Sequence, residues 1–287
     1  MPELPEVETI RRDLLPHVVG RAITGVRIAP NAGRVINGVD PDDFAALLIG
    51  RRIDGIARRG KYLLFRLSGK GAAAYLAVHL RMTGSLLLRQ PADPPDRYLR
   101  AVISLDDGTE LRYADLRKLG RLWVVDSPEQ AVAALGPEPL DAAFTAAALR
   151  QALAHRRAPI KAVLMDQRAL AGIGNIYADE ALFAARIHPR RPANTLTQAE
   201  AKRLHGAIRR VLSDAIDNRG SSFRDYVDGA GREGTHQLRV KVFRRTGQPC
   251  YVCGAEIARI KVGGRSTHFC SHCQPEKDSD KNDAAID

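Results

Sequence analysis

The sequence lacks the features that mark several protein classes. No run approaches the eighteen or so apolar residues of a membrane-spanning helix, so such a span is excluded. The N-terminus is acidic where a secretion signal is basic and then hydrophobic, and we therefore expect no export and a cytoplasmic protein. Cysteine is scarce, and all four cysteines lie within residues 250–273. A disulfide framework in a chain of 287 residues would spread its cysteines more widely.

Acidic residues are outnumbered. The chain has 44 Lys and Arg against 33 Asp and Glu, a formal net charge of +11. The last twelve residues, 276–287, hold five acids and two lysines, so the remainder is more positive still, and we predict that this tail is disordered. Such an excess favours a polyanionic partner, although composition alone does not separate DNA from RNA or anionic lipid.

The cysteines form two Cys-x-x-Cys pairs separated by sixteen residues. The pairs are Cys250/Cys253 and Cys270/Cys273, a spacing typical of a tetrahedral four-thiolate zinc site. Two redox or disulfide pairs are the alternative, but nothing around them resembles a thioredoxin unit. A closed four-thiolate site leaves no open coordination position, so we expect one structural Zn²⁺. The surrounding segment is basic, which suits either phosphate binding or a solvated face.

Patterning indicates an α+β, multidomain chain. A helix is predicted from Pro5, followed by short strands between residues 21 and 125, with a hairpin turn at 106–108. Regularly spaced short strands of this kind favour a sandwich or barrel. The period then becomes helical over residues 145–155, 160–166, 175–185 and, after a capping box from Thr197 to Glu200, up to about residue 218. Short strands return around the cysteines.

Four separated segments resemble the formamidopyrimidine-DNA glycosylase family. They are the N-terminus Met1-Pro-Glu-Leu-Pro-Glu-Val-Glu8, the turn Gly172-Ile-Gly-Asn-Ile-Tyr-Ala-Asp-Glu180, the paired cysteines, and Gly264-Arg-Ser-Thr-His-Phe-Cys270. The resemblance implies a catalytic β-sandwich domain with flanking helices (1–130), a linker (131–144), a helix–two-turn–helix DNA-binding domain with a lid loop (145–234) and a β-hairpin zinc finger (235–275).

The family's activity is bacterial base-excision repair. The resemblance implies removal of 8-oxoguanine and formamidopyrimidines from damaged double-stranded DNA, followed by strand cleavage through β- and δ-elimination. It also implies a monomer that works on the nucleoid.

The N-terminal residues suit covalent catalysis. Removal of Met1 would leave Pro2 with a free secondary amine, and the positive end of the following helix disfavours its protonated form. Attack on the sugar C1′ would expel the base and give an iminium, which acidifies the C2′ proton. By resemblance, Glu3 is the proton donor and Glu6 has a supporting role. Taken alone, this segment would be an ordinary proline-and-acid helix start.

The resemblance also assigns the other site residues. Lys61 serves the elimination steps, and Arg265 binds the phosphates around the lesion and assists δ-elimination. The expected phosphate contacts are His79, Arg156, Lys161 and Asn175. Without the resemblance, His79 would be a buried strand histidine and Asn175 a helix N-cap.

Base excision leaves a gap in the stack that protein side chains must fill. By position these are Met82, Arg117 and Leu119, although relatives more often carry phenylalanine where Leu119 stands. Tyr98 replaces a common DNA-contacting histidine, and Phe243 with Arg244 replaces a common Tyr-Gly pair.

Two alternatives remain at this stage. The sister enzyme endonuclease VIII shares Pro2, Glu3 and the zinc finger but prefers oxidised pyrimidines. Leu4, Arg117 and the predicted lid segment 221–227 favour the purine enzyme. A non-catalytic zinc-ribbon nucleic-acid-binding protein is the alternative from another class, and it would tolerate extra residues ahead of Pro2.

Overall fold

The structure, a computed structural model, describes residues 2–276, which divide into two compact units. The first contains the residues up to 135 together with 214–238, and the second contains 136–213 and the described residues from 239 on. The expected domain boundaries assign residues 214–234 to the helical domain, whereas compactness groups them with the first unit. The predicted disordered tail lies, from residue 277 on, outside the described residues.

Two antiparallel four-stranded sheets form the centre of the first unit, as the strand pattern predicts. One has the order β1-β6-β7-β5 and the other β2-β3-β4-β8. The strands are β1 (Ile23–Ile28), β2 (Arg52–Arg59), β3 (Tyr62–Ser68), β4 (Ala74–His79), β5 (Gly84–Arg89), β6 (Leu99–Leu105), β7 (Glu110–Asp115) and β8 (Arg121–Val125). The predicted turn at 106–108 joins β6 to β7, where Ile103 pairs with Leu111.

Helices α1 (Leu4–Val18) and α2 (Pro41–Leu48) complete the core of this unit. The apolar residues of α1 recur at three- and four-residue steps, so that Val7, Ile10, Leu14 and Val18 share one buried face. Each such side chain contributes roughly 1.5–3 kcal/mol on burial. This packing fixes the helix that directly follows Pro2 and Glu3, the predicted catalytic residues.

Tyr113 sets the spacing of two loops at the end of the sandwich. A Cβ added at Gly120 would lie 1.7 Å from the Tyr113 hydroxyl oxygen, and one added at Gly84 would lie 2.8 Å from it. Both positions therefore require glycine for close approach. Gly84 begins β5 and Gly120 precedes β8, so this tyrosine fixes the loops that end at these strands.

The second unit is helical with one β-hairpin. Its elements are α4 (Ala146–Leu153), α5 (Ile160–Met165), α6 (Asn175–Ala185), most of α7 (Gln198–Asp217), β9 (Ile257–Val262) and β10 (Arg265–Cys270). The predicted capping box of α7 is confirmed, since Thr197 N–H donates to Glu200 (2.9 Å) and Glu200 N–H to the Thr197 hydroxyl (3.2 Å). A short helix, α3 (Pro128–Val132), spans the predicted boundary between the first domain and the linker at residues 130 and 131. None of the helices in residues 2–276 is long and apolar enough to span a bilayer.

We expect Gly120→Ala to destabilise the protein by about 1–3 kcal/mol, because the methyl group must displace the buried Tyr113 hydroxyl. Gly206→Ala is the matched control. Gly206 lies inside α7 with no atom within 4 Å of an added Cβ, and alanine there should be neutral or stabilising by about 0.5–1 kcal/mol. Thermal unfolding of both variants measures the difference, and equal midpoints would contradict the role given to Tyr113.

Candidate functional site

The N-terminal segment is fixed by one carboxylate. Pro2 and Glu3 are buried just before α1, and Glu6 is buried in its first turn. One Glu6 oxygen accepts the Glu3 backbone N–H at 2.8 Å, and the other accepts the Ser221 backbone N–H at 2.8 Å. A Cβ at Gly220 would lie 2.9 Å from that second oxygen. Glu6 thus links the predicted catalytic residues to the start of the predicted lid.

The lid segment is anchored to α1 through a second acid. Asp13 accepts two hydrogen bonds of 2.7 Å from the Arg219 guanidinium and one of 3.2 Å from the Gly229 N–H. The fully buried Asp228 pairs with Arg219 and Arg232 and accepts the backbone N–H groups of Ala230 and Arg232, both at 2.9 Å. Both ends of the lid are therefore held, while Arg224 and Asp225 between them are exposed.

Glu8 holds α1 against the hairpin that carries Lys61. Its carboxylate accepts hydrogen bonds from Arg11, Arg12 and Arg58 at 2.8–3.1 Å. Burial by itself would raise the pKa of Glu8, but the bonds from Arg11 and Arg12 outweigh it, and the pKa falls to about 2. Lys61 is buried in the two-residue turn between β2 and β3, three residues beyond Arg58.

His79 is a buried strand histidine with one nitrogen already engaged. Its Nδ1 accepts the Arg81 backbone N–H at 3.0 Å, and its ring packs edge-on against Tyr62. Burial, reinforced by the charges of Arg81 and Lys61, lowers the pKa of His79 to about 3. Because Nδ1 accepts, we assign the proton to Nε2. The ring could then meet a phosphate only as a neutral donor.

Asp115 organises the two loops that carry the predicted gap-filling residues. Its fully buried carboxylate accepts hydrogen bonds from the Thr83 hydroxyl, the Gly120 N–H (2.8 Å) and the Arg117 N–H (3.1 Å). Tyr113 also donates to it at 3.2 Å.

The structure brings the predicted gap-filling side chains out at these loops. Met82 and Leu119 are about 40% exposed, and the Arg117 guanidinium lies 3.3 Å from the Met82 sulfur. Arg81 and Lys118, each next to one of these residues, have positive φ angles of 54° and 53°. Such strain is costly for non-glycine residues and clusters at functional loops.

Tyr98 lies beside the same loops. It has a φ of 63°, and its carbonyl accepts the Asp115 N–H at 3.0 Å. The Arg97 guanidinium stacks 4.7 Å from its ring. A DNA contact by Tyr98 stays a prediction.

In the second unit, Asn175 and Lys161 converge on one carbonyl of the zinc hairpin. Gly174 is the N-cap of α6 and Asn175 its first residue, so the N-cap interpretation of Asn175 is wrong. The Asn175 amide and the Lys161 ammonium both donate to the Ser266 carbonyl, at 3.1 and 2.8 Å. Arg265, next to Ser266, is exposed.

Lys161 and Arg156 differ from the expected solvent-facing phosphate contacts. Lys161 is fully buried, and its ammonium lies 2.8 Å from the Thr267 hydroxyl and 2.7 Å from Asp179. The Lys161 ammonium is therefore not exposed for direct contact with a phosphate. Arg156 is half-buried and forms an ion pair with Asp166 at 2.8 Å.

The four cysteines form a zinc site. Their sulfur atoms all lie within 4.8 Å of one another, with Cys250 3.9 Å from Cys273 and Cys253 3.4 Å from Cys270. A tetrahedron with metal–sulfur bonds of about 2.3 Å has sulfur–sulfur edges of roughly 3.8 Å. The donor set thus fits one structural Zn²⁺, and none of the four thiols is joined in a disulfide.

Not every basic residue of the zinc segment faces solvent. Arg245 is buried, donates to the Lys241 and Pro249 carbonyls, and stacks 3.6 Å from the Tyr251 ring. Phe243 is also buried and packs edge-on against His268. The basic count of the segment therefore overstates the charge available to phosphates.

Sequence reasoning missed the acids that position these elements. Asp115, Asp179 and Glu180 are buried, and each accepts backbone N–H groups. Asp179 and Glu180 end a motif that the sequence had singled out, and acids at those positions of a largely apolar helix were the available signal.

Comparison with known proteins gives consistent matches along the chain. Family models match residues 1–122 (formamidopyrimidine-DNA glycosylase N-terminal domain), 135–227 (formamidopyrimidine-DNA glycosylase H2TH domain) and 247–275 (zinc finger found in FPG and IleRS). A formamidopyrimidine-DNA glycosylase of Symbiobacterium thermophilum is 52% identical over 96% of this chain and 90% of its own length. One from Chloroflexus aurantiacus is 50% identical over 96% and 98%, respectively.

Solved structures agree with this result. A mutant Lactococcus lactis FPG in complex with DNA containing Fapy-dG has a TM-score of 0.87 and 36% identity. The match covers 96% of this chain and all of that one. The Lactococcus lactis Fpg bound to DNA with an abasic site has the same TM-score, identity and coverage.

Cys250→Ser should lose zinc and weaken DNA binding. Removing one of four thiolates opens the site, and the hairpin that carries Arg265 then loses its support. Metal content by atomic absorption and affinity for a lesion duplex measure the two effects. Metal-free protein with full affinity would show that zinc is dispensable.

Leu119→Phe should tighten binding to a lesion duplex while leaving the chemistry intact. Base–aromatic stacking is worth roughly 1–3 kcal/mol, and leucine recovers only part of it. Titration of both proteins against the same duplex gives the change in affinity. Unchanged or weaker binding would argue against Leu119 entering the vacated stack.

Proposed function

Because the chain belongs to the formamidopyrimidine-DNA glycosylase family of DNA-repair glycosylases with abasic-site lyase activity, we propose that it excises oxidised purines through a covalent intermediate on Pro2. The lesions are 8-oxoguanine and formamidopyrimidines in duplex DNA. The observation that carries the proposal is the Glu6 carboxylate, which binds the Glu3 N–H and the lid at Ser221 with its two oxygens. These two hydrogen bonds fix the Glu3 backbone, next to Pro2, relative to the start of the lid.

The reaction begins at the amine of Pro2 after removal of Met1. Its nitrogen lone pair forms a bond to C1′ as the glycosidic bond breaks, and the N–H proton of the resulting ammonium passes to the departing base. Glu3 protonates the ring oxygen O4′, which opens the sugar and leaves an iminium between C1′ and Pro2. Helix α1 begins two residues beyond Pro2, so its positive end favours the neutral amine that this step requires.

Strand cleavage follows from the iminium. This electron sink acidifies the C2′ proton, whose loss expels the 3′ phosphate, and a second elimination expels the 5′ phosphate. Lys61 serves these steps. Arg265 binds phosphate and assists the second elimination. Asn175 provides a further phosphate contact at the start of α6, where the helix dipole favours anions. On the same basis we propose a monomer that works on nucleoid DNA in a bacterial cytoplasm.

The preference for purines rests on the relatives. The relatives from Symbiobacterium thermophilum and Chloroflexus aurantiacus are named for formamidopyrimidine, and one Lactococcus lactis complex contains Fapy-dG in its DNA. Another Lactococcus lactis complex contains an oxidised pyrimidine, so endonuclease VIII-like activity is the comparison to make. Single-lesion duplexes with 8-oxoguanine, formamidopyrimidine or an oxidised pyrimidine separate the two, because faster excision of the pyrimidine would reverse the assignment.

The prediction that tests this proposal most directly concerns the Pro2 amine. Borohydride should reduce the iminium and trap a covalent protein–DNA complex with an oxidised-purine duplex, and almost none with undamaged duplex. Mass spectrometry should place the adduct on the peptide that begins with Pro2. A protein extended by several residues ahead of Pro2 should bind damaged DNA but neither excise nor trap.

The blocked protein is its own control, since its zinc content and DNA affinity report on an intact fold. Normal turnover by verified blocked protein would exclude Pro2 as the nucleophile. An adduct on Lys61 would do the same. Both results would favour a different amine, whereas binding without any excision by the unblocked protein would favour a non-catalytic role.

A further inference from the structure

A fully buried aspartate joins three elements of the second unit. Asp179 lies on α6, one turn beyond Asn175. One of its oxygens accepts the His268 backbone N–H at 2.9 Å and lies 3.1 Å from the His268 ring. The other lies 2.7 Å from the Lys161 ammonium on α5. A single carboxylate thus connects α5, α6 and strand β10 of the zinc hairpin.

The same network fixes the backbone next to Arg265. Lys161 donates to the Ser266 carbonyl and the Thr267 hydroxyl, both at 2.8 Å, and the Thr267 hydroxyl donates to the Arg265 carbonyl at 3.1 Å. Asn175 donates to the Ser266 carbonyl as well. Hydrogen bonds to residues of α5 and α6 therefore hold the backbone of residues 265–268 in place, while the Arg265 side chain is exposed.

The next residue of α6 holds another part of the zinc module. Glu180 is buried and accepts the backbone N–H groups of Lys241, Val242 and Phe243 at 2.8–2.9 Å. Burial raises the pKa of this carboxyl, and the three hydrogen bonds oppose that shift only in part. Glu180 thus serves residues 241–243, whereas Asp179 serves the segment around Arg265.

A buried ion pair of this kind is a poor source of stability. The cost of desolvating both charges is similar to their attraction, and apolar replacements are often neutral or stabilising. The ion pair orients its neighbours instead, because Lys161 and Asp179 each have several hydrogen-bond partners that must lie at defined positions around them. The two charges therefore suit a role in orientation.

We propose that Asp179 is a positioning residue for phosphate binding, acting through Arg265. This inference rests on the proposed function, in which Arg265 binds the phosphates around the lesion. Asp179 orders Lys161 and β10, and these orient the backbone from which the Arg265 guanidinium extends. Asp179 itself, being fully buried, makes no contact with DNA.

The test is a double-mutant cycle on DNA affinity. Asp179→Asn keeps the shape but removes the charge that holds Lys161. It should weaken binding to a duplex with a stable abasic-site analogue roughly tenfold, the worth of one charge-assisted hydrogen bond. The salt dependence should also fall by about 0.9 in slope, the loss of one phosphate contact. Arg265→Ala should do the same, and the double variant should be no weaker than Arg265→Ala alone.

Glu256→Gln is the matched control. Glu256 is an exposed acid of the same zinc segment, and its loss makes the protein one charge more positive, as Asp179→Asn does. That change should leave binding equal or slightly tighter, so weakening by Asp179→Asn cannot come from net charge. Zinc content and the thermal midpoint establish that each variant is folded.

A second variant covers the case in which Asp179→Asn does not fold. Thr267→Val is nearly isosteric and removes only the hydroxyl that joins Lys161 to the Arg265 carbonyl. It should weaken binding in the same direction and be silent in the Arg265→Ala background.

Additive losses, or an unchanged salt slope in folded protein, would overturn the positioning role of Asp179. Failure of the proposed function is read separately, from excision by the unmodified chain, because the binding cycle needs no turnover. If the unmodified protein binds but does not excise, the enzymatic proposal fails while the cycle still reports on Asp179.

Discussion

A carboxylate removed from water must find hydrogen-bond donors, because leaving it unpaired costs several kcal/mol. For three buried acids of this protein the donors include backbone N–H groups of the segments predicted to meet DNA. Glu6 holds the N-terminus and the start of the lid, Asp115 holds the gap-filling loops, and Asp179 holds the zinc hairpin. The hydrogen bonds that offset the desolvation of each carboxylate therefore also fix the backbone of the segment that donates them.

This arrangement explains how a strongly basic chain can present its charge in defined places. Arg219 forms an ion pair with an acid of its own unit, and Arg245 donates to a backbone carbonyl of its own unit. The Lys161 ammonium is paired with Asp179. Arg117 and Arg265, by contrast, are exposed on segments whose backbones are held by buried acids. The electrostatic attraction to DNA is general, but buried acids fix the segments from which these two guanidinium groups extend.

The departures from the family pattern fit the local packing. Phe243 is buried against the His268 ring, so an apolar side chain there completes the support of the zinc hairpin. Leu119 is exposed on a loop whose backbone is held by Asp115 and by the close contact of Gly120 with Tyr113. These contacts come from the backbone and from Gly120, so they do not depend on the side chain at position 119.

Much of the fold and the zinc site could be predicted from the amino-acid sequence alone. Apolar periodicity predicted the helices of the second unit and the strands of the sandwich, because burial of one face imposes a period of 3.6 or 2 residues. Cysteine spacing predicted the zinc site, since a tetrahedral metal leaves few alternatives. The N-terminal proline and acids, with three further motifs, indicated the family.

Which polar residues face inward became visible only once the chain was folded. Periodicity describes apolar side chains and carries no information on a buried acid, whose partners are backbone groups far away in the sequence. Asp179 meets His268, and Glu6 meets Ser221, across 89 and 215 residues of chain. Lys161 shows the same limit from the other side. The resemblance implied a phosphate contact at this position, and only the fold showed its ammonium enclosed by an aspartate and two oxygens of β10.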